Sequence, residues 1–235
     1  LMGWNAEFMQ ELLQKMIAMR GRILTDMDVY QTENLQLESD PNQAILNEVK
    51  DYFILPQNPS NYAMDPDTVE LDPKVLAQLR DFVSKIASMN KARMPFHSFA
   101  HATHICQSVR KLLSLMVAPG AIDDDAMAQT NTRRVALHEA TYGIASDPLT
   151  EFACAFAALI LCVDHPGVSN DQLVKEESNL ALLYRNKSVS EQNSVAVAWG
   201  LLMEPSYKDL RVCIYTSQSG LERFRHTVVN AVLAT

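Results

Sequence analysis

Three of the six histidines, His97, His101 and His104, lie four and three residues apart in the stretch MPFHSFAHATHICQSV (94–109). On an α-helix this spacing puts all three on one face, and two imidazoles at i and i+4 can reach one divalent ion. Taken alone, the spacing is equally that of polar residues along a partly exposed helix face. A second stretch, CVDHPGVSN (162–170), sets His165 directly before Pro166-Gly167. A histidine at a helix end before a sharp turn can face a cleft. His138 and His226 have no partner pattern and read as surface or core-edge residues.

The elements that must position these side chains read as helices. Apolar residues recur at helical spacing from Trp4 to Ile23 (Phe8, Leu12, Leu13, Met16, Ile17), and again from Pro73 to Asn90 with Asp72 as cap. Between them, Asp28 to Asp40 is polar and reads as a linker, and Asn42 to Leu55 reads as a short helix closed by Pro56. Pro95 can open a helix carrying His97 and His101 to about Met116. Residues 118–134 read as a loop whose acid run is solvated. Ser146 or Asp147 can cap a buried helix with Pro148 in its first turn. Segments 171–185, 188–203, 205–217 and 219–234 all read as helical. No period-2 strand pattern and no internal repeat occur, so the expected fold class is all-α.

Composition narrows the function classes. The 235 residues suffice for one sizeable core, and seven glycines with ten prolines are few for an all-β fold of tight turns. A net charge of −8 with no basic stripe argues against nucleic-acid binding, yet leaves room for a small phosphate ligand. The cysteines Cys106, Cys154, Cys162 and Cys213 lie in apolar surroundings without C-x-x-C spacing, and are expected as buried free thiols of a reducing cytoplasm. The longest uncharged apolar run, Phe152 to Val163, is too short to span a bilayer, so no membrane segment is expected. Leu1 in place of Met suggests a piece of something longer.

The two histidine stretches together resemble the motifs of class I 3′,5′-cyclic nucleotide phosphodiesterases. The pattern H-N-x-x-H-A is followed by His97, Ser98, His101 and Ala102. The pattern H-D-x-x-H-P-G-x-x-N is followed by Asp164, His165, Pro166, Gly167 and Asn170, but Leu161 and Cys162 stand where it has its His-Asp pair. Residues 146–160, 179–202 (against S-x-L-A-x-x-Y-x-x-x-S-V-L-E-x-H-H) and 223–235 (against V-L-A-T-D) extend the likeness from about residue 70 to the end. The sequence EQNS at 191–194 and His104 are similar to phosphodiesterase modules fused behind nucleotide cyclases in some protists.

The resemblance implies a compact multi-helix, HD-domain-like fold with its C-terminal helices lying beyond Thr235. Residues 70–235 would form the first two thirds of the catalytic domain. Residues 1–69 would be N-terminal helices and linker, or the first helices of the same domain. It implies hydrolysis of cAMP or cGMP by a hydroxide between zinc and magnesium. His97 falls at the general-acid position and His101 at a metal-ligand position. Leu161 is a lost histidine ligand; Cys162, at an aspartate ligand position, is either a soft zinc ligand or a buried small hydrophobe. His165, Glu191, Thr235 and Asn170 match positions that support metal-bound water or the turn. The fourth ligand and the purine-reading residues would lie beyond Thr235. The implied function is therefore a phosphodiesterase-family domain of cyclic-nucleotide signalling, weakened or inactive because of Leu161-Cys162. The alternative is a non-catalytic regulatory or interaction module. The expected setting is the cytoplasm, or the cytoplasmic side of a membrane-anchored parent, with fusion to a cyclase or another signalling domain as one arrangement.

Overall fold

The computed structural model describes residues 1–21, 24–37, 45–50, 63–90, 94, 96–116, 135–136, 138–141 and 144–235. The helices are α1 (Met2–Arg20), α2 (Asp26–Glu33), α3 (Pro73–Met89), α4 (Phe99–Leu115), α5 (Pro148–Ile160), α6 (Asn170–Lys175), α7 (Asn179–Leu183), α8 (Val189–Leu202), α9 (Lys208–Ile214) and α10 (Gln218–Leu233). Single 3-10 turns stand at Ile45–Glu48, Pro66–Thr68, Ile144–Ser146 and Pro205–Tyr207. No strand occurs among the described residues, and the fold is all-α.

Helix α5 is the centre. Its sequence PLTEFACAFAALI is apolar on nearly every face, as a helix surrounded by other helices must be. Asp147 starts it, accepting from the Thr150 N–H at 3.1 Å and the Thr150 hydroxyl at 2.6 Å, and Pro148 fills the first turn. Its neighbours are α1, α4 and α10. Phe156 stacks on Phe82 of α3 at 5.6 Å between centroids and meets Phe224 of α10 edge-on at 5.4 Å. Burying each such ring contributes about 1.5–3 kcal/mol.

Helix α1 is built into the same core through Phe8, Leu12, Leu13 and Met16. Polar clasps add to the packing: Asn5 Nδ2 donates to Thr103 Oγ1 at 2.8 Å, and Arg110 of α4 lies over the rings of Trp4 and Phe8 while pairing with Glu11. Lys15 reaches Glu151 of α5 at 2.9 Å.

Glu151 is buried, and that burial pushes its carboxyl above the ordinary value of 4.5; nearby Asp147 adds to the rise and Lys15 opposes it. The native state therefore holds this proton more tightly than the unfolded chain. The contribution of Glu151 to stability is present at low pH and is lost as pH rises above about 4.5 through the raised native midpoint. Glu151→Gln is expected to remove that slope. Unfolding curves of both proteins from pH 4 to 7 test this: a wild-type-minus-variant difference that does not change with pH would show the opposite.

Four segments differ from the sequence expectation. Residues 28–40 are not all linker, because Asp28–Glu33 belongs to α2. Thr25 and Asp28 form a reciprocal capping box, and the helix packs on α9. Within 42–55 only a 3-10 turn is described, at Ile45–Glu48, and its anchors are distant in sequence. Gln192 accepts from the Leu46 N–H, Arg225 grips Glu48 with two bonds, and Asn230 pairs with both backbone groups of Lys50. The expected helix over 171–185 is broken into α6 and α7 by Glu177 at φ 49°, with Ser178 capping the second piece. Segment 205–217 likewise divides into a 3-10 turn and α9. Pro95 and the loop 118–134 lie outside the described residues.

Candidate functional site

His97 is not on the helix face that the spacing suggests. Ser98 caps α4 by accepting from the His101 N–H at 3.3 Å, so the helix begins after His97 and leaves it in the preceding bend. His101 is half-buried in the first turn of α4 and His104 is exposed. What holds His97 is tertiary: its ring stacks on that of His165 at 3.6 Å between centroids and 13° between planes. Phe96 meets His97 edge-on at 5.1 Å and lies against the His101 ring at 4.6 Å. The rings of His97 and His101 are 6.4 Å apart. Partial burial lowers the His97 imidazole below its ordinary value; the charge of His101 adds to this and Glu191 opposes it.

His165 is fixed by the turn that follows. Its Nδ1 accepts the Gly167 N–H at 3.0 Å, which puts the proton of the neutral ring on Nε2. Gly167 has φ +85°, and a Cβ there would fall 2.1 Å from the Met94 sulfur, so the turn needs glycine for conformation and for space. Asn170 joins this turn to α8: its amide donates to Glu191 at 2.9 Å, and its oxygen accepts the Ser190 N–H at 3.0 Å.

The end of α5 lies beside these groups in sequence but differs in character. Leu161 is half-buried against the core. Cys162 is 1 % exposed, and burial pushes its thiol up to about 11. Asp164 takes a left-handed backbone at φ 52°, donates its N–H to Met89 O of α3 at 3.2 Å, and accepts from Asn193 of α8 at 3.1 Å. Ser194 donates to the Val163 carbonyl at 2.8 Å. Asn193 and Ser194 therefore tie the 161–164 turn to α8, a role the sequence reading did not assign. The available signal was their place, where the pattern E-x-H-H has its two histidines. Thr235, exposed at the end of α10, donates its hydroxyl to Val232 O at 2.7 Å. His138 pairs through Nδ1 with the Ser146 hydroxyl at 2.6 Å.

The structure thus brings together His97, His101 and His165, and joins Asn170 to Glu191 beside them. The sequence pattern of the 3′,5′-cyclic nucleotide phosphodiesterase family matches residues 96–235, the segment that holds all of these groups. The chain belongs to that family. A probable 3′,5′-cyclic-AMP phosphodiesterase of Caenorhabditis elegans is 30% identical over 140 residues, covering 60% of this chain and 17% of that protein. A 3′,5′-cyclic-AMP phosphodiesterase of Drosophila melanogaster (isoform F) is 28% identical over 155 residues, 66% of this chain and 19% of its own length. This chain therefore spans about a fifth of these relatives. The crystal structure of the phosphodiesterase domain of the RhoPDE fusion protein from the choanoflagellate Salpingoeca rosetta superposes with a TM-score of 0.51 at 23% identity. That match covers 69% of this chain and 41% of the other, and it bears on the fold.

Phosphodiesterases of this family generally depend on metal ions. The donor set here does not fit a metal pair. Leu161 has no donor atom. Cys162 is buried, and its sulfur suits magnesium poorly. Among the described residues no three His, Cys, Asp or Glu side chains converge on a common point. His101 retains a nitrogen donor, and one imidazole alone does not make a structural or catalytic zinc site.

All four cysteines are free thiols. Cys106, Cys162 and Cys213 are buried, with thiols pushed up to about 12, 11 and 12, whereas Cys154 is half-exposed at about 11. Cys154 thus departs from the expectation that all four are buried. At pH 8 a disulfide reagent such as DTNB is expected to titrate at most Cys154 in the native protein, slowly, and all four thiols in denaturant. Fast native labelling of Cys162, located by peptide mapping, would show that its pocket is open.

Proposed function

We propose that this chain is a phosphodiesterase module of cyclic-nucleotide signalling whose metal centre has been dismantled, so that it hydrolyses cAMP and cGMP weakly or not at all. The observation that carries the reading is the end of α5. At the family's His-Asp ligand positions stand Leu161, which cannot ligate, and Cys162, a buried thiol that suits magnesium poorly. His97 keeps the position of the proton donor to the departing O3′, and His101 that of the retained ligand. His165, Asn170 and Glu191 keep the hydrogen-bonded surround, and Thr235 falls at a matching position. A surround orients ligands but does not replace them.

Residues 70–235 are read as the first two thirds of the catalytic domain, and 1–69 as N-terminal helices and linker or as the first helices of the same domain, the reading that the shared core of α1 favours. The phosphodiesterase domain it superposes on belongs to a fusion protein, and a multidomain parent, joined to a nucleotide cyclase or another signalling domain, is part of this proposal. No described helix is long and apolar enough to cross a membrane; the cytoplasm, where cyclic nucleotides are made and read, is the proposed setting.

The test is made on the longest natural chain that contains this sequence. Zinc and magnesium are measured after purification, and cAMP and cGMP hydrolysis is followed with and without added metal. Sub-stoichiometric metal and no turnover are expected. Stoichiometric metal with turnover would overturn the reading.

A further inference from the structure

A cavity of about 370 Å³ lies between α1, α2, α3 and α9 and shares no lining residue with the histidine site. Its walls are apolar: Ile17, Val29, Val75, Val212 and Cys213 come from the four helices. Its mouth is not. Glu70, Asp72 and Asp209 stand there with Lys74, and the Arg20 guanidinium, held on Val212 O and Ile214 O, is close enough to act on Cys213 of the wall, so three carboxylates face two cations, a formal excess of one negative charge. Among the described residues none of the three carboxylates forms an ion pair. Asp72 caps α3 by accepting the Lys74 N–H at 2.8 Å, and Asp209 accepts from the Gln78 amide at 2.7 Å. Both bonds are neutral donors to a charged acceptor, and they leave the negative charge in place.

A volume in the range of small-molecule pockets, apolar walls and a net negative mouth select one kind of ligand. An apolar body gains by leaving water for the walls, and a cationic head gains at the carboxylates without having to be buried. An anion would meet repulsion at the mouth, and a neutral molecule would gain from the walls alone. We propose that this cavity is a binding site for a small amphiphilic cation, an amine with an aromatic or branched apolar body. It would be separate from the histidine site, and the proposal does not depend on whether that site turns over cyclic nucleotides.

The probes are 3-phenylpropylammonium, its neutral analogue 3-phenylpropan-1-ol and its anionic analogue 4-phenylbutanoate, titrated into the folded protein by ligand-observed NMR and calorimetry. The ammonium is expected to bind about tenfold more tightly than the alcohol, a difference of about 1.4 kcal/mol, with the carboxylate weakest. The pair Glu70→Gln and Asp209→Asn is expected to bring the ammonium down to the affinity of the alcohol and to leave the alcohol unchanged. Thr68, exposed on the lip, offers a steric block: Thr68→Trp is expected to abolish binding of both. Circular dichroism checks that each variant is folded, and the charge variants stand alone should Thr68→Trp unfold. No binding of the ammonium, binding that ignores its charge, or binding that survives the charge changes and the folded Thr68→Trp would each overturn the assignment.

Discussion

With Leu161→His and Cys162→Asp introduced together, the longest natural chain containing this sequence is expected to change from a protein without stoichiometric zinc into one that holds it. The two changes supply the nitrogen and oxygen donors that Leu161 and Cys162 do not, to act with His101. The effect on stability should be as informative as the metal content. Position 162 is 1 % exposed, and an ionised carboxylate there without a cation costs several kcal/mol. Cys162→Asp alone should therefore be the least stable of the set. In the double variant, zinc a thousandfold above its dissociation constant should return about 4 kcal/mol. Metal analysis and unfolding temperatures with and without EDTA read both effects. The wild-type temperature is expected not to respond to EDTA. A folded double variant that stays zinc-free would show that 161–162 is not a metal position.

Phe156→Ala is expected to cost about 3–5 kcal/mol, a large part of the 5–15 kcal/mol that holds a typical domain. Phe156 is 1 % exposed and touches Phe82, Phe152 and Phe224, so its loss opens a cavity among α3, α5 and α10 at once. The same helix delivers the 161–165 turn, so the His97–His165 stack should loosen together with the core. Chemical denaturation measures the first effect, and the ring-current shifts of the two imidazoles report the second. Phe156→Leu, which keeps most of the volume, should cost roughly 1–2 kcal/mol. A cost below about 1 kcal/mol for the alanine variant would mean that the aromatic cluster is not the packed centre.

The helices were legible where period and caps agree. The stripe from Val75 to Ile86 is buried as its spacing requires, and Asp72 and Asp147 cap the helices that follow them. The capping box Thr25-x-x-Asp28 was equally present in the sequence, but the polar composition around it masked the helix it starts. The anchoring of residues 45–50 was not readable at all, because its partners Gln192, Arg225 and Asn230 come from far along the chain. At the site, the i, i+4, i+7 spacing of the histidines promised a shared helix face. Ser98 caps the helix two residues too late for His97 to join it.

The sequence by itself determined the family, the all-α class and the residues, Leu161 and Cys162, on which the proposed loss of the metal pair rests, since each depends on which residues stand in which order. A leucine has no lone pair to offer a metal in any fold. Tertiary structure decided how the remaining groups are used. It took His97 off the helix and stacked it on His165, buried Cys162 so that its thiol is pushed up to about 11, and tied the 161–164 turn to α8 through Asn193 and Ser194. Those outcomes rest on contacts between segments tens of residues apart, and local periodicity carries no record of such contacts.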